Sequence, residues 1–128
     1  MPRLQFVLYF AGLSLLIAFI HAIIVRYSLE YYVWWIDLIP HTLGGAWLVF
    51  LVYFFNRFFS REKFQFGSFA FKAFSFFFAI AVLWEIFEVI IGAAMMSHPH
   101  YWPDTALDII FDSLGAVITF GYLRSFHR

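Results

Sequence analysis

Three short segments of the chain place acidic side chains and a histidine at helical spacing within otherwise apolar sequence. They contain three pairs: Asp37 and His41, Glu85 and Glu88, and Asp108 and Asp112. Residues three or four positions apart share one face of a helix, so both members of each pair project in the same direction. Carboxylate oxygens and imidazole nitrogens bind divalent metal ions, and a carboxylate in a desolvated site can act as a general base. The pattern therefore indicates metal binding, acid–base chemistry or both.

The composition of the chain is that of an integral membrane protein. Of its 128 residues, 64% are hydrophobic and 12% are charged, and the mean hydropathy is +0.84, whereas soluble domains carry roughly a quarter charged residues. The formal net charge of zero makes nucleic acid an unlikely class of partner. The absence of cysteine excludes a disulfide framework, a thiolate metal site and a cysteine nucleophile.

Four apolar runs are long enough to cross a bilayer, which takes roughly 20 residues as a helix. They predict helices over about residues 4–25, 36–55, 69–94 and 105–123, within a single transmembrane domain that covers residues 1–128. Pro40 is expected in the first turn of the second helix or at a kink near its outer end. Pro103 and Asp104 are expected to mark the start of the fourth helix. The predicted fold class is all-α, a polytopic four-helix bundle.

The distribution of lysine and arginine predicts the orientation of the bundle. The N-terminus, the second connection and the C-terminus contain basic residues, namely Arg3, Arg57, Arg61, Lys63, Arg124 and Arg128. The first connection has only Arg26, and the third has none. Basic residues near the ends of membrane helices favour the cytoplasmic side. Both termini and the second connection are therefore predicted to be cytoplasmic.

This orientation brings the three pairs to similar depths in the outer half of the membrane. The second and fourth helices run inward and the third runs outward. With a rise of about 1.5 Å per residue, the levels of the pairs agree to within roughly one or two turns, with Asp37 and Asp108 in a shallower layer. Small residues follow the polar ones on two helices, at Gly44 and Gly45 and at Gly115. Small residues let membrane helices approach closely, so these two helices are expected to pack tightly.

Acidic side chains at this depth need neutralisation. Each costs about 2.5 to 3.5 kcal/mol at the centre of a membrane helix, and no lysine or arginine is expected at their level. The acids can be protonated, can line a wet cavity or can be neutralised by a cation. A divalent metal ion is the simplest source of charge, and His41 favours manganese, iron or zinc over magnesium or calcium. The predicted metal ligands are Asp37, His41, Glu85, Glu88, Asp108 and Asp112.

Short ordered motifs in the last three helices resemble a known family. The motifs are D-x-x-x-H-x-x-G-G from Asp37, W-E-I-F-E from Trp84 and D-T-x-x-D-x-x-x-D-x-x-G-A from Asp104. They resemble the YjdF-like family of small bacterial inner-membrane proteins and, more distantly, the VanZ-like group, which is associated with glycopeptide resistance. The resemblance implies a polytopic protein of the bacterial inner (cytoplasmic) membrane.

The leading functional prediction is a divalent-metal site that opens to the outer face of the membrane. As an enzyme, the protein would be a metal-dependent hydrolase or transferase acting on a lipid or envelope substrate, with Glu85 or Glu88 as the general base. Transport of a cation or proton is an alternative, against which the apolar cytoplasmic half of the helices argues. A structural or lipid-binding subunit of an oligomer or larger membrane complex is another. His21 could contribute to the site from the first helix, but we expect an interfacial histidine.

The orientation can be tested with reporter fusions. A reporter fused after Phe64 should be active on the cytoplasmic side, and one fused after His100 should be active on the outer side, because the basic residues cluster around the second connection. Two fusions that report the same side would contradict the common depth of the three acidic segments.

Overall fold

The computed structural model describes residues 3–29, 32–59, 65–91 and 100–125. These residues form four helices, α1 (Arg3–Tyr27), α2 (Leu38–Phe58), α3 (Phe66–Ile91) and α4 (Tyr101–Ser125). Each helix is long and apolar enough to cross a membrane. The prediction of an all-α four-helix bundle is confirmed.

Helices α2 and α4 each have a proline in their first turn. α2 begins at Leu38 with Pro40 in its first turn, a position where the missing N–H of proline is tolerated. Asp37 is the N-cap residue of α2, but its side chain makes no capping hydrogen bond and is available to the site. α4 begins at Tyr101, so Pro103 lies inside its first turn instead of preceding the helix. The predicted end of the third helix, at residues 92–94, lies outside the described residues.

The most extensive helix interface is between α2 and α4, and two glycines make it possible. A Cβ atom on Gly45 would overlap the backbone carbonyl of Asp112, and one on Gly115 would overlap the carbonyl of Thr42. The two backbones therefore touch directly, as small residues permit in membrane helices. Because Thr42 follows His41, this contact holds the histidine opposite the acidic face of α4.

An apolar core lies beside the site, toward the end of the bundle where α2 and α4 finish. Its buried residues come from α2, α3 and α4 and are Leu48, Val49, Phe69, Ala73, Phe77, Ala81, Ala116 and Leu123. By the predicted orientation, this is the cytoplasmic half of the bundle. The polar side chains of the site are thus separated from that end by close-packed hydrocarbon.

Helix α1 is attached to one neighbour. Among the described residues it contacts α2 and neither α3 nor α4. The Phe10 ring stacks on Trp47 at 4.9 Å between centroids, and Phe6 stacks on Phe54 at 5.3 Å. The indole nitrogen of Trp47 also donates a hydrogen bond of 2.6 Å to the Ser14 hydroxyl. A gap consequently remains between α1 and α3 on the surface of α2.

The tight α2–α4 contact generates a stability prediction. Gly45→Ala and Gly115→Ala should each lower the free energy of unfolding by about 1–3 kcal/mol or more, because the added methyl group forces two backbones apart. Gly121→Ala is the matched control on α4, since a Cβ there meets nothing within 4 Å. Unfolding in mixed detergent micelles provides the measurement. Equal effects at Gly115 and Gly121 would contradict the close approach.

Candidate metal site and adjoining cavity

His41 lies at the centre of the polar site, with a carboxylate beside each ring nitrogen. Its Nε2 atom is 3.6 Å from Asp37 Oδ2 and 3.6 Å from Asp108 Oδ1. Its Nδ1 atom is 3.4 Å from Asp112 Oδ2. The i,i+4 spacing on α2 supplies the first carboxylate and the i,i+4 spacing on α4 supplies the other two. The imidazole therefore joins α2 to α4 within the membrane.

The four residues differ in their access to the surroundings. The side chains of His41 and Asp108 are 8% and 7% exposed, whereas that of Asp37 is 40% exposed. Asp37 precedes the first residue of α2 and so lies at the open end of the site. The His41 ring beside it lowers the pKa of the Asp37 carboxyl below its ordinary value, despite an opposing effect of partial burial. Asp37 is thus held as a carboxylate at the entrance.

Glu85 is buried between α3 and α4. Its residue is 7% exposed, and its carboxyl group lies close to the Thr105 side chain of α4. This orientation directs Glu85 toward the first turns of α4. It is not among the described residues that line the cavity beside His41.

Glu88 lies one turn further along α3 and faces a different space. Its Oε1 atom accepts a hydrogen bond of 2.9 Å from the indole nitrogen of Trp84. Both side chains line the same cavity as His41. The two glutamates of the WEIFE segment therefore point to different surroundings, although they are only three residues apart.

The cavity occupies the gap between α1 and α3 and has a volume of about 430 Å³. At one end it is bounded by Asp37, His41, Glu88 and Asp112, and at the other by apolar side chains such as Leu48 and Ile80. α1 contributes His21 near the polar end and Ser14 further along. A space of this size is typical of a small-molecule site.

His21 is the residue whose role the sequence does not reveal by itself. The sequence predicts an interfacial histidine, but the side chain lines the cavity and interacts electrostatically with Asp37. Its spacing of seven residues from Ser14 puts both on one face of α1. That spacing, together with a depth close to Asp37, is the signal that points to the cavity.

The structure brings some of the predicted ligands together and leaves others apart. Asp37, His41 and Asp108 offer one ligand atom each within 4.8 Å of one another. Asp112 is beside the second ring nitrogen of the histidine. Glu85 and Glu88 lie to either side of this group, the first toward α4 and the second in the cavity.

Comparison with known proteins identifies the family. A family model described as "Predicted membrane protein (DUF2238)" matches residues 2–128. The chain belongs to this family. The match agrees with the YjdF-like resemblance of the last three helices and extends over α1 as well. No curated protein and no solved structure matched this DUF2238 chain.

Because His41 lies between three carboxylates, we expect it to contribute to the stability of the folded protein. In chelator-treated protein, His41→Gln should lower the free energy of unfolding by about 3 kcal/mol, because the single amide nitrogen of glutamine cannot lie beside carboxylates on both sides as the two ring nitrogens do. Adding Asp112→Asn to this variant should recover part of the loss, since it removes one of those carboxylates. His21→Gln is the matched control, because His21 is exposed on α1. A double variant that is less stable than His41→Gln would contradict this assignment.

Proposed function

We propose that this integral membrane protein binds a divalent metal ion through Asp37, His41 and Asp108. The observation that carries the proposal is the arrangement around the imidazole. Nε2 faces two carboxylates and Nδ1 faces a third. Metal-binding histidines commonly donate their second N–H to a carboxylate, which fixes the ring and its tautomer. Asp112 has the position of that orienting carboxylate.

The separations among the ligand atoms suit a metal ion. Metal–nitrogen and metal–oxygen bonds of about 2.0–2.2 Å put neighbouring ligand atoms roughly 3–3.5 Å apart, and the two distances from Nε2 are 3.6 Å. Two carboxylates and one imidazole favour manganese, iron or zinc, while magnesium and calcium prefer oxygen alone. The exposed side of Asp37 offers a route by which an ion reaches the site.

We further propose that the metal supports hydrolysis or group transfer on a lipid or envelope substrate at the outer half of the bacterial inner membrane. A metal ion supplies polarisation of a carbonyl or phosphoryl oxygen and activation of water. Glu88 is the better general base of the two candidate glutamates, because its carboxylate faces the cavity in which a substrate would lie. Glu85 faces α4 and is better suited to positioning that helix. The VanZ-like resemblance is compatible with an envelope substrate.

Two alternatives compete with this function. Passage of a cation or proton would require polar groups along the bundle, but the buried cluster beyond the site is apolar among the described residues. This favours a closed site over a transport path. A structural or lipid-binding role in an oligomer or larger complex is favoured by the cavity that opens beside α1.

Binding of Mn²⁺ to purified protein, measured from the loss of the free-ion paramagnetic resonance signal, tests the proposal. Asp108→Asn should abolish binding because it removes a ligand. Asp112→Asn should weaken binding by about 10–100-fold, the usual effect of losing an orienting carboxylate. Asp104→Asn is the matched control, one turn away on the exposed surface of α4.

Metal should also stabilise the folded protein. Binding to the folded state contributes RT ln(1 + [L]/Kd), about 2.7 kcal/mol at a hundredfold excess over Kd. Chelator should therefore lower the melting temperature, and one metal should restore it in the wild type and in Asp104→Asn. A melting temperature that changes with neither chelator nor added metal would overturn the metal site.

A further inference from the structure

The cavity between α1 and α3 has mostly apolar walls and one acidic end. Among the described residues, no Cα atom of α1 lies within 8 Å of one in α3. The gap is therefore open sideways to the membrane. Water is disfavoured in a space with apolar walls. Hydrocarbon chains from the bilayer can enter this space through the opening between α1 and α3.

The cavity is elongated along the helix axes. Its α2 wall runs from Asp37 to Leu48, which corresponds to about 16 Å at the rise of an α-helix. Its α1 wall runs from Ser14 to His21, and its α3 wall from Ile80 to Glu88. A long, narrow space with one polar end matches a single extended chain with a polar head.

The charge of the polar end selects the kind of head group. Three carboxyl groups border the cavity, those of Asp37, Glu88 and Asp112, and they outnumber the two imidazoles of His21 and His41. No lysine or arginine is among the described residues that line it. In the absence of a bound metal ion, a cationic head is attracted to this end, whereas an anionic head is repelled. Trp47 and Trp84 also line the cavity, and indole faces attract ammonium groups.

We propose that this cavity binds a cationic single-chain amphiphile from the membrane, with its ammonium head beside Glu88 and its chain between α1 and α3. This ligand goes beyond the metal-binding function, because Glu88 is outside the Asp37–His41–Asp108 group.

Native mass spectrometry of the full chain in a neutral detergent tests this proposal with three probes that share a twelve-carbon chain. Dodecyltrimethylammonium should bind with a stoichiometry of one per chain. Its affinity should exceed those of dodecyl phosphate and dodecyl maltoside by about tenfold, because a charged group contributes roughly this much when it is paired in a partly desolvated site. Equal affinities for all three probes would overturn the selection by charge.

Two alanines of α1 provide a matched pair of variants. Ala18 lines the cavity and Ala22, one turn away, does not, although both are exposed. Ala18→Phe should weaken binding of dodecyltrimethylammonium by about tenfold through steric filling, and Ala22→Phe should leave it unchanged. Glu88→Gln should also weaken it by about tenfold, through loss of the charge. Equal losses in the two phenylalanine variants would overturn the proposed location.

Two further outcomes distinguish the amphiphile from a metal-dependent ligand and from a second copy of the chain. Binding should persist in chelator-treated protein, so a failure of metal binding leaves it intact. Binding that requires added Mn²⁺ would overturn the direct role of the carboxylates. If the wild type is a dimer that Ala18→Phe alone converts to a monomer, a second copy of the chain fills the cavity and the proposal is wrong.

Discussion

The site depends on one constraint, which is that carboxylates inside a membrane must be given partners there. His41 meets this requirement for three of them at once, since each ring nitrogen lies beside at least one carboxylate oxygen. Such an arrangement is possible only if α2 and α4 are close. The contacts of Gly45 and Gly115 with the opposite backbones supply that closeness. The packing of small residues and the polar chemistry are thus two aspects of the same interface.

The family match and the structure agree on what this chain is, and the local geometry separates the roles of its acidic residues. Asp108 and Asp112 lie beside the histidine, Glu85 lies between α3 and α4, and Glu88 faces the cavity. The burial and the orientation of these side chains distinguish their surroundings, whereas their sequence spacing does not. Within a single turn, α3 therefore presents a buried glutamate, Glu85, and a glutamate that lines the cavity, Glu88.

Much of the architecture could be predicted from the sequence, because the bilayer imposes simple rules of length and composition. The four spans and the close α2–α4 contact follow from apolar runs and from glycines next to polar residues. α4 begins at Tyr101, four residues before the predicted start at about residue 105. Proline can mark a helix boundary but is also tolerated inside the first turn, where Pro103 lies. The different surroundings of Glu85 and Glu88 could not be predicted, and the sequence leaves His21 open between the site and the membrane interface, whereas its side chain lines the cavity. The cavity that Glu88 and His21 line exists because α1 and α3 are separated. The periodicity of a helix contains no information on the distance between two helices.

The pairing of α2 with α4 also has a consequence for biogenesis. The ribosome delivers α2 to the membrane well before α4, with α3 in between, so His41 enters the bilayer before Asp108 and Asp112 have been synthesised. A chain interrupted ahead of α4 leaves His41 without the carboxylates of Asp108 and Asp112 and exposes the glycine groove of α2 to lipid. Completion of the last helix closes this groove and satisfies the histidine in one step.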